Sequence, residues 1–461
     1  MTSLIYDPSF PQIAQVLQAD VMLKLFQDLW LSSTDTEASN IKIASCQVGE
    51  KRYKPGKNFM LTYILELHNE TTQTNYQQLV TAKLNPVYTE PLKLTGYLDS
   101  SILLSTGLPS VSYLAEVDMI LWSFPYDSQL VHLPEILDTT TLGSFFTEQL
   151  SGLGLVPTEV IRAVQADILH YLPEQSCMIR YTLDIIDTKL NKESDGRQIF
   201  IYGKNYRNDS GAHVFAIMSQ LAEQTDHCAK PLHYDATTRT LWQGHVSGKP
   251  FEWHPSLDKQ LIAKVAACIA DFHSCHLDTA DQYGLPKINQ QLQAACDSAT
   301  IASPLLGSQV KAIVDDLLQL QSQLNWQSVR CTPLHLDLKM GNLLIAEDKI
   351  HLIDMDCVCL GDPSVDTGSF IANLYLNGLR AGVSVSAIDT LVAAFVSAYS
   401  GAIAWNVDVA KLDWYIAAAL IHEVLRRSIR QQNVERIKHN QSVINVSQQY
   451  IARCRELIGH D

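Results

Sequence analysis

A chain of 461 residues, 46% of them apolar and 18% charged, is long enough for two or three packed domains and is excluded from the disordered and fibrous classes. Its formal charge of −15 and pI near 5.4 argue against nonspecific binding to nucleic acid or to an anionic membrane, both of which would repel it. The 10 cysteines are scattered, without the paired CxxC spacing of a zinc site, so reduced and mostly buried thiols are the simplest account. No basic stretch precedes an apolar core at the N-terminus, and a cytoplasmic location is expected. The apolar segment 387–405 contains Asp389 and several hydroxyl residues, which suits a buried helix and not a membrane span.

In chain order, the first half reads as sheet. The run 59–67 resembles the run 177–185: both are apolar and β-branched-rich, and both follow a proline-containing turn, at 53–57 and 171–175. Each leads to a second strand ending in a lysine, Lys83 or Lys204, and then to a tryptophan-bearing strand. Two copies of a small antiparallel unit are therefore expected, chance likeness of hairpins being the alternative. The expected divisions are 1–150 for the first sheet-rich domain, 151–250 for the second, and 251–461 for a helical lobe.

From residue 257 the pattern turns helical. Apolar residues three and four apart mark 261–273, and further helices are expected at 309–324, 386–400, 411–430 and the C-terminus. A sheet-rich half joined to a helical half is an α+β arrangement with a cleft at the junction. Arg426, Arg427, Arg430, Arg436 and Lys438 read as a solvated helix face.

The chemistry is carried by 332–356. Leu343 to Ile345 forms one short strand, 346–349 a polar turn, and 350–353 the returning strand. Pairing Ile345 with Ile350 sets Asn342 opposite Ile353 and beside Asp354. An amide and a carboxylate then converge, a hard-oxygen pair suited to a nucleotide-bound magnesium ion. Asp337, on the preceding loop, can accept a hydrogen bond from an acceptor hydroxyl and aim it at a terminal phosphate.

His335-x-Asp337-x-x-x-x-Asn342 followed by Asp354-x-Asp356 resembles the aminoglycoside phosphotransferase and choline kinase group. The downstream Gly361-Asp362-Pro363 turn leading to Asp366 resembles it too. The resemblance implies a protein-kinase-like two-lobe fold, here with an additional N-terminal lobe like a duplicated kinase N-lobe. It also implies that Asp337 is the catalytic aspartate, that Asn342 and Asp354 hold magnesium, and that His335 supports the loop. Asp356 is either a second metal contact or a loop hydrogen-bonder. Asp366 reads as a helix N-cap. Lys339 either meets the transferring phosphate or is an exposed loop lysine.

ATP needs a further cation near its phosphates. Lys204 is nearer than Lys83 to Asp337 in sequence, leaving room for one small lobe, and shares a strand face with Phe200 and Tyr202, which could roof an adenine or simply pack. Glu223, in a helix at 211–224, is the expected partner of Lys204. Gln243, His245 and Val246 lie where the family's hinge would bind the adenine edge. The turn at 173–176 has no glycine to bring amides against phosphates.

The first unit, with Lys83, could brace the enzyme, bind a regulator or contact another subunit. The expected activity is ATP- and magnesium-dependent transfer to a hydroxyl of a small molecule bound among the helices after residue 257. Asp413 and Glu423 could meet an amine there, ordinary helix-surface acids being the simpler account. The alternatives are an inactive kinase-like scaffold and a protein kinase. Leu336, Asp354-Met355-Asp356 in place of Asp-Phe-Gly, and the lack of an Ala-Pro-Glu ending count against the latter.

Overall fold

The computed structural model describes residues 7–31, 41–87, 104, 108–150, 153–156, 158–188, 196–254, 257–326, 330–347, 349–431 and 434–460. Two five-stranded antiparallel sheets lie in the first half. Helices α1 (Ile13–Val16) and α2 (Ala19–Leu31) precede strands β1 (Ile41–Lys54), β2 (Asn58–Asn69), β3 (Thr74–Leu84), β4 (Val111–Leu114) and β5 (Met119–Ser123). Helices α3 (Leu133–Leu137) and α4 (Thr139–Gln149) precede β6 (Glu159–Leu172), β7 (Ser176–Asp187), β8 (Arg197–Tyr206), β9 (Pro231–Asp235) and β10 (Thr240–Gly244). The strand orders are β1-β2-β3-β5-β4 and β6-β7-β8-β10-β9, the same path drawn twice.

The likeness extends to single hydrogen bonds. Tyr53 and the Gly56 amide donate to Asp7 Oδ2, each at 2.7 Å. Tyr171 and the Glu174 amide donate to Asp127 Oδ2 at 2.6 and 2.9 Å. Tyr63 donates to the Val16 carbonyl and Tyr181 to the Ile136 carbonyl, both at 2.7 Å. Met60 pairs with Lys83 as Met178 pairs with Lys204, so the two lysines occupy equivalent positions.

Each sheet needs a cover for one apolar face, and its own helix pair supplies it. Phe10, Met22 and Phe26 pack with Tyr53, Phe59 and Tyr63 in the first core. Leu133, Leu142 and Phe146 pack with Ile179, Tyr181 and Trp242 in the second. Residues 127–150 therefore pack with the second sheet and not with the first unit, where the repeat of strands had grouped them. The strand pattern missed this because short helices rich in Thr and Ser look much like loops.

The other face of the second sheet meets α5 (Ser210–Ala222) and the helical lobe in a third core. That lobe holds α6 (Lys259–Ser274), α7 (Leu285–Ala302), α8 (Pro304–Gln321), α9 (Ser364–Arg380), α10 (Val385–Ala402) and α11 (Val409–Ala419). Asp258 and Asp408 cap α6 and α11 by accepting the Leu261 and Lys411 amides at 2.8 and 3.0 Å, each cap contributing about 1 kcal/mol. Among the described residues α10 is the one helix long and apolar enough to cross a membrane; its stripe Ile388, Val392, Phe395 and Tyr399 is buried in the helical core.

The helix expected over 411–430 is not uniform. After α11 a π-helical turn, Leu420–Leu425, leads into α12 (Arg426–Arg430). Such turns are rare and concentrate at functional sites. The C-terminal helix Asn440–His460 closes the lobe.

Candidate active site

The hairpin has the register its sequence implies: Leu343 faces Leu352, Leu344 faces His351 and Ile345 faces Ile350. The Ile353 amide donates to the Asn342 carbonyl at 3.0 Å. Asp354 follows with φ +67° and Leu336 precedes the loop aspartate with φ +59°. Left-handed backbone at a β-carbon-bearing residue costs on the order of 1–3 kcal/mol and persists where the surroundings hold it.

Asp366 is one of the groups that hold it. It is fully buried, and its carboxylate accepts the backbone amides of His335 and Leu336 at 2.5 and 2.9 Å. His273 Nε2 donates to the same carboxylate at 3.3 Å while its Nδ1 lies 2.7 Å from the Tyr399 hydroxyl. The N-cap reading of Asp366 is thereby corrected: α9 begins at Ser364, and Asp366, in its first turn, clamps the loop that carries Asp337. Sequence spacing gave no sign of this because the partners lie 31 and 30 residues apart, across the hairpin. His335 Nε2 donates to the Ile353 carbonyl at 2.9 Å, joining loop to hairpin.

Around Asp337 the structure gathers Lys339, Asn342 and Arg427. Lys339 is ion-paired with Asp337 Oδ2. Asn342 Nδ2 donates to Oδ2 at 3.0 Å and to the Asp337 carbonyl at 2.9 Å. Arg427 Nη2 reaches Oδ1 at 3.2 Å. Arg427 was grouped with a solvated helix face on sequence grounds, and its place here is a correction. No local signal marks it, since the contact depends on how α12 packs.

Lys204 reaches across from β8 to the end of the hairpin. Its Nζ lies 2.6 Å from Asp354 Oδ1 and 2.7 Å from Asp356 Oδ2, and Tyr206 donates to Asp356 Oδ1 at 2.7 Å. Burial alone would lower the Lys204 ammonium, yet Asp356 and Asp354 outweigh it and hold its pKa above the ordinary value. Burial pushes the Asp354 carboxyl up, but Lys204, with His335 and Lys339 behind it, holds it below the usual range. Glu223 is not the partner of Lys204: it is the exposed residue ending α5. The lysine instead finds its countercharge directly on the hairpin.

Gly203 makes this reach possible. A Cβ there would lie 2.8 Å from the Trp242 ring and 3.0 Å from Tyr181, so only glycine lets the buried indole lie against the strand that presents Lys204. Along the same strand, Tyr202 stacks on His245 with ring centroids 5.9 Å apart and planes at 12°, and Phe200 leans on His245 at 5.6 Å. Gln243 pairs with Tyr202 in the sheet. Val246 packs on the helical core. The chain then crosses to the hairpin, where Lys249 pairs with Ile345, so 243–250 connects the two lobes.

The carboxylates of Asp354 and Asp356 both approach a single point, the Lys204 ammonium. Two hard oxygen donors converging on one cation position fit a magnesium ion carrying nucleotide phosphates. The Asn342 side chain turns instead to Asp337.

The glycine-poor turn at 173–176 is engaged by the first unit. Arg52 Nη1 approaches the Pro173 carbonyl at 3.4 Å, Thr81 donates to Tyr171 at 3.2 Å, and Lys83 binds both Glu174 oxygens at 2.9 and 3.0 Å. Lys83, the counterpart of Lys204, thus fixes the turn of the next unit.

Residues 206–406 match the model of a phosphotransferase enzyme family. No curated protein matches the chain. Among solved structures, the choline kinase of Cryptosporidium parvum Iowa II is similar at 12% identity, covering 68% of this chain and 96% of its own, with a TM-score of 0.48. A spectinomycin phosphotransferase in complex with ADP and its antibiotic is similar at 14% identity, covering 68% and 98%, TM-score 0.47. The choline kinase of Streptococcus pneumoniae shares 13% identity, covering 68% and 100%, TM-score 0.43. The family match spans the Asp337 loop, the hairpin and Asp366, while Lys204 lies just before it. Through residues 206–406, this chain is therefore similar to the phosphotransferase enzyme family.

Proposed function

We propose that the protein transfers the terminal phosphate of ATP, with magnesium, to a hydroxyl of a small molecule. The observation that carries this reading is the meeting of Lys204 with Asp354 and Asp356 beside the Asp337 loop. Asp354 and Asp356 would hold the metal, which neutralises charge on the phosphate oxygens. Lys204 would then turn from the carboxylates to the phosphates. Phe200, Tyr202 and His245 are the aromatic groups available to the adenine.

In the transfer, the acceptor oxygen bonds to the terminal phosphorus as the bond to the β–γ bridging oxygen breaks. ADP leaves with that oxygen and the hydroxyl proton passes to Asp337. Lys339 and Arg427, both on the Asp337 carboxylate, keep it oriented. Catalysis of this kind is mostly positioning and charge stabilisation.

An ADP-formation screen over alcohols, sugars, amino sugars and hydroxy acids tests the reading, run beside thermal stabilisation by magnesium and ATP. Turnover with some member, abolished in Asp337→Ala, is expected. Absence of both turnover and magnesium-dependent stabilisation would favour a kinase-like scaffold instead.

A further inference from the structure

Between the first sheet and the helical lobe lies a cavity of about 530 Å³. Strands β1 and β2 form one wall, the turn after β6 a second, and the π-helical turn with α12 the third. It opens onto Leu336, next to Asp337, and onto Cys357, next to Asp356.

Its lining carries an unusual charge for so acidic a protein. Arg52 from the first unit and Arg426 and Arg430 from α12 all line it. The Nε atoms of Arg426 and Arg430 are buried with no hydrogen-bond partner among the described residues. Burial lowers the Arg430 pKa, and Arg426, Arg52 and Arg427 lower it further by repulsion. Burial likewise lowers Arg52, with Glu174 opposing and Arg207 adding to the effect. The carboxylates facing the cavity are Glu50 and Glu423, and burial pushes Glu423 up to about 7.

Several desolvated guanidinium groups facing one space repel each other and are unfavourable until an anion enters. Guanidinium groups match phosphate oxygens in two-point geometry. An amine would meet like charge there. A further arginine of the lining, Arg427, is ion-paired with Asp337, which ties this wall to the Asp337 loop.

We infer that this cavity is the acceptor pocket, and that the acceptor is a small hydroxylated molecule already carrying a phosphate group, held by Arg52, Arg426 and Arg430 with a hydroxyl turned to Asp337. The inference rests on the phosphotransferase reading above. Its product is a compound with two phosphate esters, the new one formed at the hydroxyl oxygen as ADP leaves. The first sheet unit then has a chemical role: it supplies Arg52 and closes the pocket.

Two measurements test this. In the first, inorganic phosphate at millimolar concentration is added to the full chain without nucleotide and the unfolding temperature is read. A rise is expected in the wild type and in Lys204→Ala, and its loss in Arg52→Gln and Arg430→Gln. No rise, or an equal rise in the arginine variants, overturns the inference. In the second, ADP formation is compared for polyol and sugar phosphates against their unphosphorylated parents and against choline. The phosphate esters are expected to lead, with KM raised about tenfold in Arg52→Gln and kcat changed less. Faster turnover of choline or the neutral parents overturns the inference while leaving the phosphotransferase reading intact. Phosphate binding at the arginines without ADP formation from any compound overturns the acceptor role and the phosphotransferase reading together.

Discussion

Lys83 and Glu174 join the duplicated sheets: the Lys83 ammonium sits 2.9 and 3.0 Å from the two Glu174 oxygens, and Ser128 donates to the same carboxylate at 2.8 Å. Both ends of the pair are largely shielded from solvent, at 27% and 17% side-chain exposure. A double-mutant cycle with Lys83→Met and Glu174→Gln should give a coupling of about 1 kcal/mol, since the pair lies between the surface and buried cases. Denaturant unfolding measures it, and additive single mutants would show that the pair does not couple the units.

Asp337→Ala should cut transfer on the order of a thousandfold, the loss of one positioned base-like group. Stabilisation by magnesium and ATP should remain, because Lys204, Asp354 and Asp356 are untouched. Full turnover in this variant would reassign the base.

Asp354→Ala should remove magnesium-dependent stabilisation by ATP, since a ligand raises apparent stability only as far as it binds the native state. In the same variant Lys204 keeps Asp356 at 2.7 Å, so the lobes should stay docked. Titration calorimetry with magnesium and ATP separates these outcomes.

Asp366→Asn should destabilise the protein by about 2–3 kcal/mol, the scale of hydrogen bonds to a buried charged acceptor. Its amide nitrogen would face a backbone N–H that now has no acceptor. Turnover should fall with ATP affinity little changed, because the displaced residues are His335 and Leu336. Unfolding curves and steady-state kinetics together check this.

Glu423 gives a pH dependence of definite sign. Its carboxyl is raised from 4.5 to about 7, by burial first, against the pull of the Ser369 hydrogen bond and of Arg427. The folded state therefore holds this proton more tightly than the unfolded chain. Its contribution to stability is fullest below the unfolded value and declines as pH rises from about 4.5 to about 7, by a few kcal/mol. Glu423→Gln should flatten that decline in unfolding curves recorded between pH 5 and 8.

Short-range pattern made part of this architecture legible. The hairpin register followed from strand length and a polar turn, and the likeness of 59–67 to 177–185 foretold two sheets with equivalent lysines. What stayed hidden depends on long-range packing. Glu223 was the natural partner for Lys204 if the partner came from the adjacent helix, but the sheet lies close enough to the hairpin for Asp354 and Asp356 to supply it. Arg426 and Arg430 carry the same letters on an exposed helix face or half-buried in a cavity wall, and only the first sheet folded over them distinguishes the two. One clue was available: Tyr-Asp occurs at 6–7 and again at 126–127, ahead of each sheet, which would have started the second unit at its helices.

The Asp7–Tyr53 and Asp127–Tyr171 clamps show that each sheet unit is tied off by its own residues. The Asp337 loop is tied off separately, by Asp366 and His273 within the helical lobe. On the reading proposed above, a change on the cavity face of β1 or β2 would redraw which molecules are admitted without disturbing how phosphate is moved. The share of the choice of cargo carried by Arg52 would then lie on a different piece of the chain from the Asp337 loop, and could be altered by itself.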